Sequence, residues 1–143
     1  MNWNDRFLRL AKEVAGWSKD PSTQVGCVLV DDRRRVIGLG YNGFPRGVED
    51  TPERLFHRPT KYLMVQHAEM NALLQCVGEP RGATAYVTHK PCSNCSGALI
   101  QAGIRHVVTC RPDAGLAERF ADSFAAADTM LAEAGVTVEY VEG

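Results

Sequence analysis

Residues 67–110 read HAEMNALLQCVGEPRGATAYVTHKPCSNCSGALIQAGIRHVVTC, and the punctuation of this stretch decides the fold. Met70, Ala72, Leu73, Leu74 and Val77 predict a helix over Ala68 to Val77, ended by Gly78 and Pro80. Thr84 to Thr88 reads as a short strand. Ser93 to Gln101 reads as a second helix with Gly103 at its C-terminus, and Ile104 to Cys110 as another strand. Alternating helices and strands imply right-handed crossovers and parallel neighbours.

Working outward, Phe7, Leu8, Leu10, Ala11, Val14 and Ala15 recur at three- and four-residue spacing, so Asn4 to Trp17 is predicted as an amphipathic helix. Gly16 and Asp20-Pro21 stop it. Val25 to Val30 and Arg35 to Tyr41 flank a polar turn, Asp31 to Arg34, as in a β-hairpin. Residues 42–61, NGFPRGVEDTPERLFHRPTK, hold three prolines and two glycines and predict one long loop, a feature that inside a compact domain is usually functional. On the C-terminal side, residues 115–134 carry Leu116, Phe120, Phe124, Ala127, Met130 and Leu131 along one helical side, with Gly135 after them. Val136 to Val141 alternates as a last strand. With no repeat or linker, residues 1–143 form one α/β domain, a mixed sheet of about five strands covered by helices.

Composition excludes several function classes. Of 143 residues, 45% are hydrophobic and 23% charged, the balance of a folded globular domain rather than a disordered chain. Sixteen Lys and Arg against 17 Asp and Glu give −1, so no bulk positive field draws the chain to nucleic acid or an anionic membrane. The longest aliphatic runs are strand-length, short of the roughly 20 residues a membrane span needs. The N-terminus MNWNDRFLRL lacks the features of a secretory signal, which makes the cytoplasm the expected location. Five cysteines, odd in number and unevenly placed, argue for reduced thiols in metal or core roles.

The chemistry gathers at two helix starts. His67-Ala68-Glu69 opens one helix and Pro91-Cys92-Ser93-Asn94-Cys95 opens the next, and strand ends that feed helices along one sheet edge point them at a common crevice. Cys92 and Cys95, three apart, share one face of a first turn. There unpaired backbone N–H groups and the positive dipole end lower thiol pKa. Pro91 sits where no N–H donor is needed. Two sulfurs and an imidazole suit zinc, and three protein ligands leave the fourth place to water, as in catalytic sites. Two thiolates cancel the metal charge, so an adjacent base is needed to deprotonate that water, and Glu69 is placed to be that base. Residues two apart on a helix diverge by about 200°; of His67 and Glu69, one ligates and the other reaches over the open position.

A PCxxC pair alone fits a structural zinc knuckle equally well, but such a site needs a fourth ligand, and His89, His106 and Cys110 lie outside the pattern. Cys27, Cys76 and Cys110 are expected as core thiols. His106 is expected to be a surface or hydrogen-bonded histidine. Phe120 and Phe124 are expected in the core or a subunit interface, and the mixed charges of residues 42–61 on a solvated face.

On His67-Ala68-Glu69 followed by Pro91-Cys92-x-x-Cys95, the chain resembles the zinc-dependent cytidine deaminase superfamily. Within it, SKDPSTQVG (Ser18 to Gly26), GYNGFPRG (Gly40 to Gly47), TKY (Thr60 to Tyr62), HAEMNA and QAGI (Gln101 to Ile104) resemble deoxycytidylate (dCMP) deaminases, over about residues 17 to 110. The resemblance implies a three-layer α/β/α fold and one Zn²⁺ on His67, Cys92 and Cys95. It makes Glu69 the general base for hydrolysis of dCMP to dUMP and ammonia, supplying dUMP for thymidylate synthesis. It also implies that the backbone around Ala68 and Pro91 holds the base and that Asn42 contacts the nucleotide. Gly40, Tyr41, Asn42 and Gly43 are linked to an allosteric site for dCTP and dTTP, with Mg²⁺ accompanying a nucleotide effector. A homo-oligomer, dimer or hexamer, is implied, with the first and last helices available to build it. The chain has no glycine-rich phosphate loop, so the 5′-phosphate falls to Ser18, Lys19, Ser22, Arg46, Lys61 or Arg111, with Lys19 and Ser22 ranked first. A second, structural zinc is not expected. The alternatives are a bifunctional dCMP/dCTP deaminase, a tRNA or single-stranded DNA base deaminase, and a zinc-stabilised module without turnover.

Overall fold

Five strands pair in the order β2-β1-β3-β4-β5 in a computed structural model that describes residues 1–142. They are β1 (Gly26–Val30), β2 (Val36–Tyr41), β3 (Thr84–Val87), β4 (His106–Thr109) and β5 (Thr137–Tyr140). β1 runs antiparallel to β2 and β3, whereas β3, β4 and β5 are mutually parallel. Every residue of β1 is buried, because successive side chains point to opposite faces and both faces are covered. On one face Val28, Val30, Tyr86 and Val108 pack with Leu8, Ala11 and Val14 of α1 (Trp3–Ala15). On the other, Cys27, Leu29, Ala85, Val87 and Val107 pack with Ala68 and Ala72 of α4 (Ala68–Leu74) and Leu99 of α5 (Ser93–Gln101). The result is the three-layer α/β/α arrangement.

Three expectations need correction. Residues 42–61 do not form one loop: they contain α2 (Pro52–Phe56) and most of α3 (Arg58–Met64). Pro52 and Pro59 lie in the first turns of those helices, where a missing N–H costs nothing, and the Thr51 side chain caps the Arg54 N–H. Residues 115–134 are not one helix but α6 (Ala114–Arg119) and α7 (Ala121–Glu133), broken at Phe120 with φ −114° and ψ 26°. Of the three thiols expected in the core only Cys27 is buried; Cys76 lies past the end of α4 and Cys110 past β4, both partly exposed. Among the described residues no helix is long and apolar enough to cross a membrane.

Candidate active site

The strands that precede α4 and α5 are not neighbours, since β1 lies between β2 and β3, yet the two helix starts still meet. β2 and β3 both pair antiparallel to β1, so their C-terminal ends share one edge of the sheet. Three contacts hold α4 at that edge. Gly40 of β2 lies so close to α4 that a Cβ would stand 2.4 Å from Ala72 N and 2.6 Å from Ala68 O. Asn71 Nδ2 donates to Tyr41 O at 2.8 Å. Gly43 and Gln66 exchange backbone hydrogen bonds of 3.1 and 2.7 Å, fixing the chain just ahead of His67.

His67 and Cys92 are the N-caps of α4 and α5. His67 Nδ1 lies 3.2 Å from Cys95 Sγ and 3.6 Å from Cys92 Sγ, and the three ligand atoms fall within 4.8 Å of one another. Zinc bonds of about 2.0 Å to nitrogen and about 2.3 Å to sulfur at tetrahedral angles give N–S edges of about 3.5 Å. The donor set therefore fits that ion in chemistry and in spacing. Cys92 Sγ accepts the Cys95 N–H at 3.5 Å. The Cys95 S–H bonded to it is the main cause pulling the Cys92 thiol down to about 4, while the same shared proton pushes Cys95 up. The hydrogen bond to Cys92 raises His67. Glu69 is 4% exposed; burial pushes its carboxyl up to about 7, against the downward pull of a backbone N–H and of His67. Such a group takes and returns a proton near neutral pH.

A cleft of about 240 Å³ opens in front of these groups. Asp20, Ser22, Thr23 and Asn42 form one wall, Arg58, Lys61 and Tyr62 of α3 a second, and Leu116, Arg119, Phe120 and Phe124 a third. The first wall is a polar knot, tied to the second through Lys61: the Asp20 carboxylate accepts the Ser22 and Thr23 N–H groups at 2.8 and 3.1 Å and Lys61 Nζ at 3.1 Å. Asn42 Oδ1 accepts the Val25 N–H at 2.8 Å, and its Nδ2 donates to Thr23 O at 2.9 Å.

Of the residues singled out by sequence, His67, Ala68, Glu69, Cys92, Asn42, Ser22 and Lys61 line the cleft, and buried Cys95 completes the ligand cluster. Others lie elsewhere. Ser18 is buried behind the wall, donating to Asn42 O at 2.8 Å. Lys19 is ion-paired to Asp50 at 3.0 Å, Arg46 is bonded to Gln75, and Arg111 lies over the Tyr140 ring. None of these four lines the cleft. Pro91 is buried, its carbonyl accepting Ser96 Oγ at 3.5 Å. Gly40 is a packing residue, and Tyr41 turns outward against Trp17 with ring centroids 6.1 Å apart. Tyr62, from the TKY segment, and His89, set aside as a metal ligand, also line the cleft, and Arg58, Lys90, Leu116, Arg119 and Phe120 line it without a sequence signal for the site. Phe120 and Phe124 keep the helical spacing of core residues, yet both border it.

The sequence pattern of the cytidine and deoxycytidylate deaminase zinc-binding region matches residues 1–111. An uncharacterized deaminase of Aliivibrio fischeri is 38% identical over 139 residues, 97% of this chain and 93% of that protein. The deoxycytidylate deaminase of Mus musculus is 38% identical over 116 residues, and a probable deoxycytidylate deaminase of Caenorhabditis elegans 45% over 109. The chain spans 64% and 55% of the lengths of those two. The dCMP deaminase of cyanophage S-TIM5, solved with dCMP and dUMP, shares the fold with a TM-score of 0.78 at 24% identity over 99% of each chain.

Proposed function

Because the chain belongs to the cytidine and deoxycytidylate deaminase zinc-binding family, we propose that it hydrolyses dCMP to dUMP and ammonia, the reaction that supplies dUMP for thymidylate synthesis. The observation that carries this reading is a buried carboxyl, Glu69, beside a His-Cys-Cys cluster at a cleft of nucleotide scale. Zinc bound by His67, Cys92 and Cys95 would supply the Lewis acid that makes a water acidic enough to attack at neutral pH. Glu69 takes a proton from the attacking water, whose oxygen adds to C4, and delivers that proton to N3. It then carries the second proton from the same oxygen to the 4-amino group. The C4–N bond breaks, ammonia leaves, and C4 keeps the oxygen as a carbonyl. The backbone at Ala68 and Pro91 and the side chain of Asn42 hold the nucleotide.

The 5′-phosphate is assigned to Arg58 and Arg119, with Ser22. Both residues line the cleft, Arg119 with its guanidinium over the Phe120 ring, and neither side chain has a hydrogen-bonded or acidic partner among the described residues. Arginine suits a phosphate because its donors match two oxygens at once. The cations Arg58, Lys61, Lys90 and Arg119 outnumber the acids Asp20 and Glu69 along the walls. Initial rates on dCMP, dCTP, deoxycytidine and a deoxycytidine-containing oligonucleotide test the assignment. The expected order places dCMP first, with Arg58→Ala raising KM for dCMP at least tenfold while sparing deoxycytidine. Equal turnover of the free nucleoside would sink the monophosphate reading, equal turnover of dCTP would make the enzyme bifunctional, and salt-sensitive use of the oligonucleotide would make it a polynucleotide deaminase.

Effector binding of dCTP or dTTP, with Mg²⁺, belongs to the same reading, at the stretch Gly40, Tyr41, Asn42 and Gly43 that the resemblance links to it. Exposed Phe56, Leu63, Leu74 and Val77 supply apolar surface for a homo-oligomer. Five free thiols accord with a reducing cytoplasm.

A further inference from the structure

The metal-binding loop is fastened by a helix outside the matched residues 1–111. The first N–H groups of a helix have no partner within it; at α5 the N–H of Ser93, next to Cys92, donates to Ser123 Oγ of α7 at 2.9 Å, and that hydroxyl donates to Ser93 Oγ at 3.2 Å. Two residues ahead of Cys92, Lys90 Nζ is bonded to Asp128 of α7 at 2.9 Å. The Lys90 side chain is only 10% exposed, enclosed by the rings of Phe124 at 5.1 Å and Tyr140 at 5.6 Å. Phe124 and Asp128, four residues apart, share one face of α7 and Ser123 lies on its flank, so the helix grips the loop on both sides of Cys92. The peptide joining Cys92 to Ser93 helps set the direction of the Cys92 Cα–Cβ bond, so an acceptor that holds its N–H fixes the base from which the sulfur projects, while the Cys95 N–H holds the sulfur itself.

From this juxtaposition we infer that Ser123 and Asp128 are positioning residues for the zinc ligand Cys92, so that α7, which lends Phe124 to the cleft wall, also braces the metal loop. The inference rests on the zinc reading of the cluster and is independent of which base is deaminated. Outer partners that orient ligands are worth roughly tenfold to a hundredfold in metal affinity. Ser123→Ala and Asp128→Asn should therefore each release zinc to a chromogenic chelator about tenfold faster than the wild type. In the cobalt(II)-substituted protein the sulfur-to-metal absorption band should shift. Ser123→Thr keeps the hydroxyl and should restore both readouts, and Asp122→Asn, exposed on the same helix, should change neither. A merely structural role would lower the melting temperature without moving the cobalt band. Should Ser123→Ala fail to fold, Asp128→Asn decides by the same two readouts. A wild type that holds one zinc, with both variants releasing it at the wild-type rate, overturns the inference alone. A wild type that holds no zinc overturns the metal site and the inference together.

Discussion

Gly40→Ala tests the contact that positions the catalytic helix. The backbone of Gly40 is not in the left-handed region, so alanine meets no conformational strain there and the effect is one of space alone. Its Cβ would lie 2.4 Å from Ala72 N, 2.6 Å from Ala68 O and 2.9 Å from the Asn71 carbonyl carbon, against 3.4 Å for ordinary contact. The shortfall, 3.4 − 2.4 = 1.0 Å, is against backbone atoms that cannot rotate away, so β2 and α4 must separate by about that distance. Overpacking costs about 1–3 kcal/mol; with three backbone atoms in the way the upper end applies, which for a chain of this length lowers Tm by about 10 °C. Function suffers independently, because the displaced turn begins at Ala68, between His67 and Glu69. A displacement of about 1 Å can cost about a hundredfold in rate. Gly43→Ala is the internal comparison: nothing lies within 4 Å of its added Cβ, so its stability should stay within about 0.5 kcal/mol of wild type. Thermal melts and ammonia release from dCMP measure both. A Gly40→Ala protein with wild-type Tm and turnover would refute the packing account of this glycine.

Glu69→Gln should keep one zinc per chain, by metal analysis, while ammonia release falls by at least about a hundredfold; wild-type-like turnover would remove Glu69 from the base role. Lys61→Met leaves the Asp20 carboxylate buried with its N–H donors but without its ammonium, at a cost of about 3 kcal/mol; an unchanged urea midpoint would show that the pair is not coupled to folding. His89 is lowered below 6.5 by burial, so the unfolded chain binds this proton first as pH falls. Its contribution is intact above about 6.5 and declines as pH drops through that value toward the lower folded pKa. His89→Gln should flatten the fall in Tm between pH 7.5 and 5.5, and parallel slopes for the two proteins would refute the assignment.

The metal cluster was legible because each part is encoded locally: Cys92 and Cys95 lie within one helical turn, and His67 and Glu69 bracket another helix start. The buried strands were legible from β-branched runs and the sheet as mixed, though not that β1 would separate β2 from β3, because pairing order depends on contacts far apart in sequence. Pro52 and Pro59 misled because proline ends helices and begins them equally well. What distinguishes the two at α2 is Thr51, whose side chain caps the third residue on. The break at Phe120 was hidden because Leu116, Phe120 and Phe124 keep an unbroken apolar spacing across it. In the fold that spacing faces the cleft, where an apolar wall serves a bound ligand as it would serve a core.

This difference in legibility follows the division of labour within the site. Bond making needs groups fixed within a few tenths of an ångström, which adjacent residues on two rigid helix starts supply. In the proposed reading substrate choice draws on Asp20 to Thr23, Arg58 to Tyr62 and Leu116 to Phe124, segments far apart in sequence that line one cleft. Charges on those walls can be exchanged without moving Glu69 or the ligand atoms, because α3 and α6 carry none of them. The same bond-breaking machinery can thus serve bases borne on different phosphates. The α7 contacts to Ser93 and Lys90 are the exception: there the helix that lends Phe124 to the cleft wall also braces the metal loop, so changes at Ser123, Phe124 and Asp128 should alter chemistry and binding together.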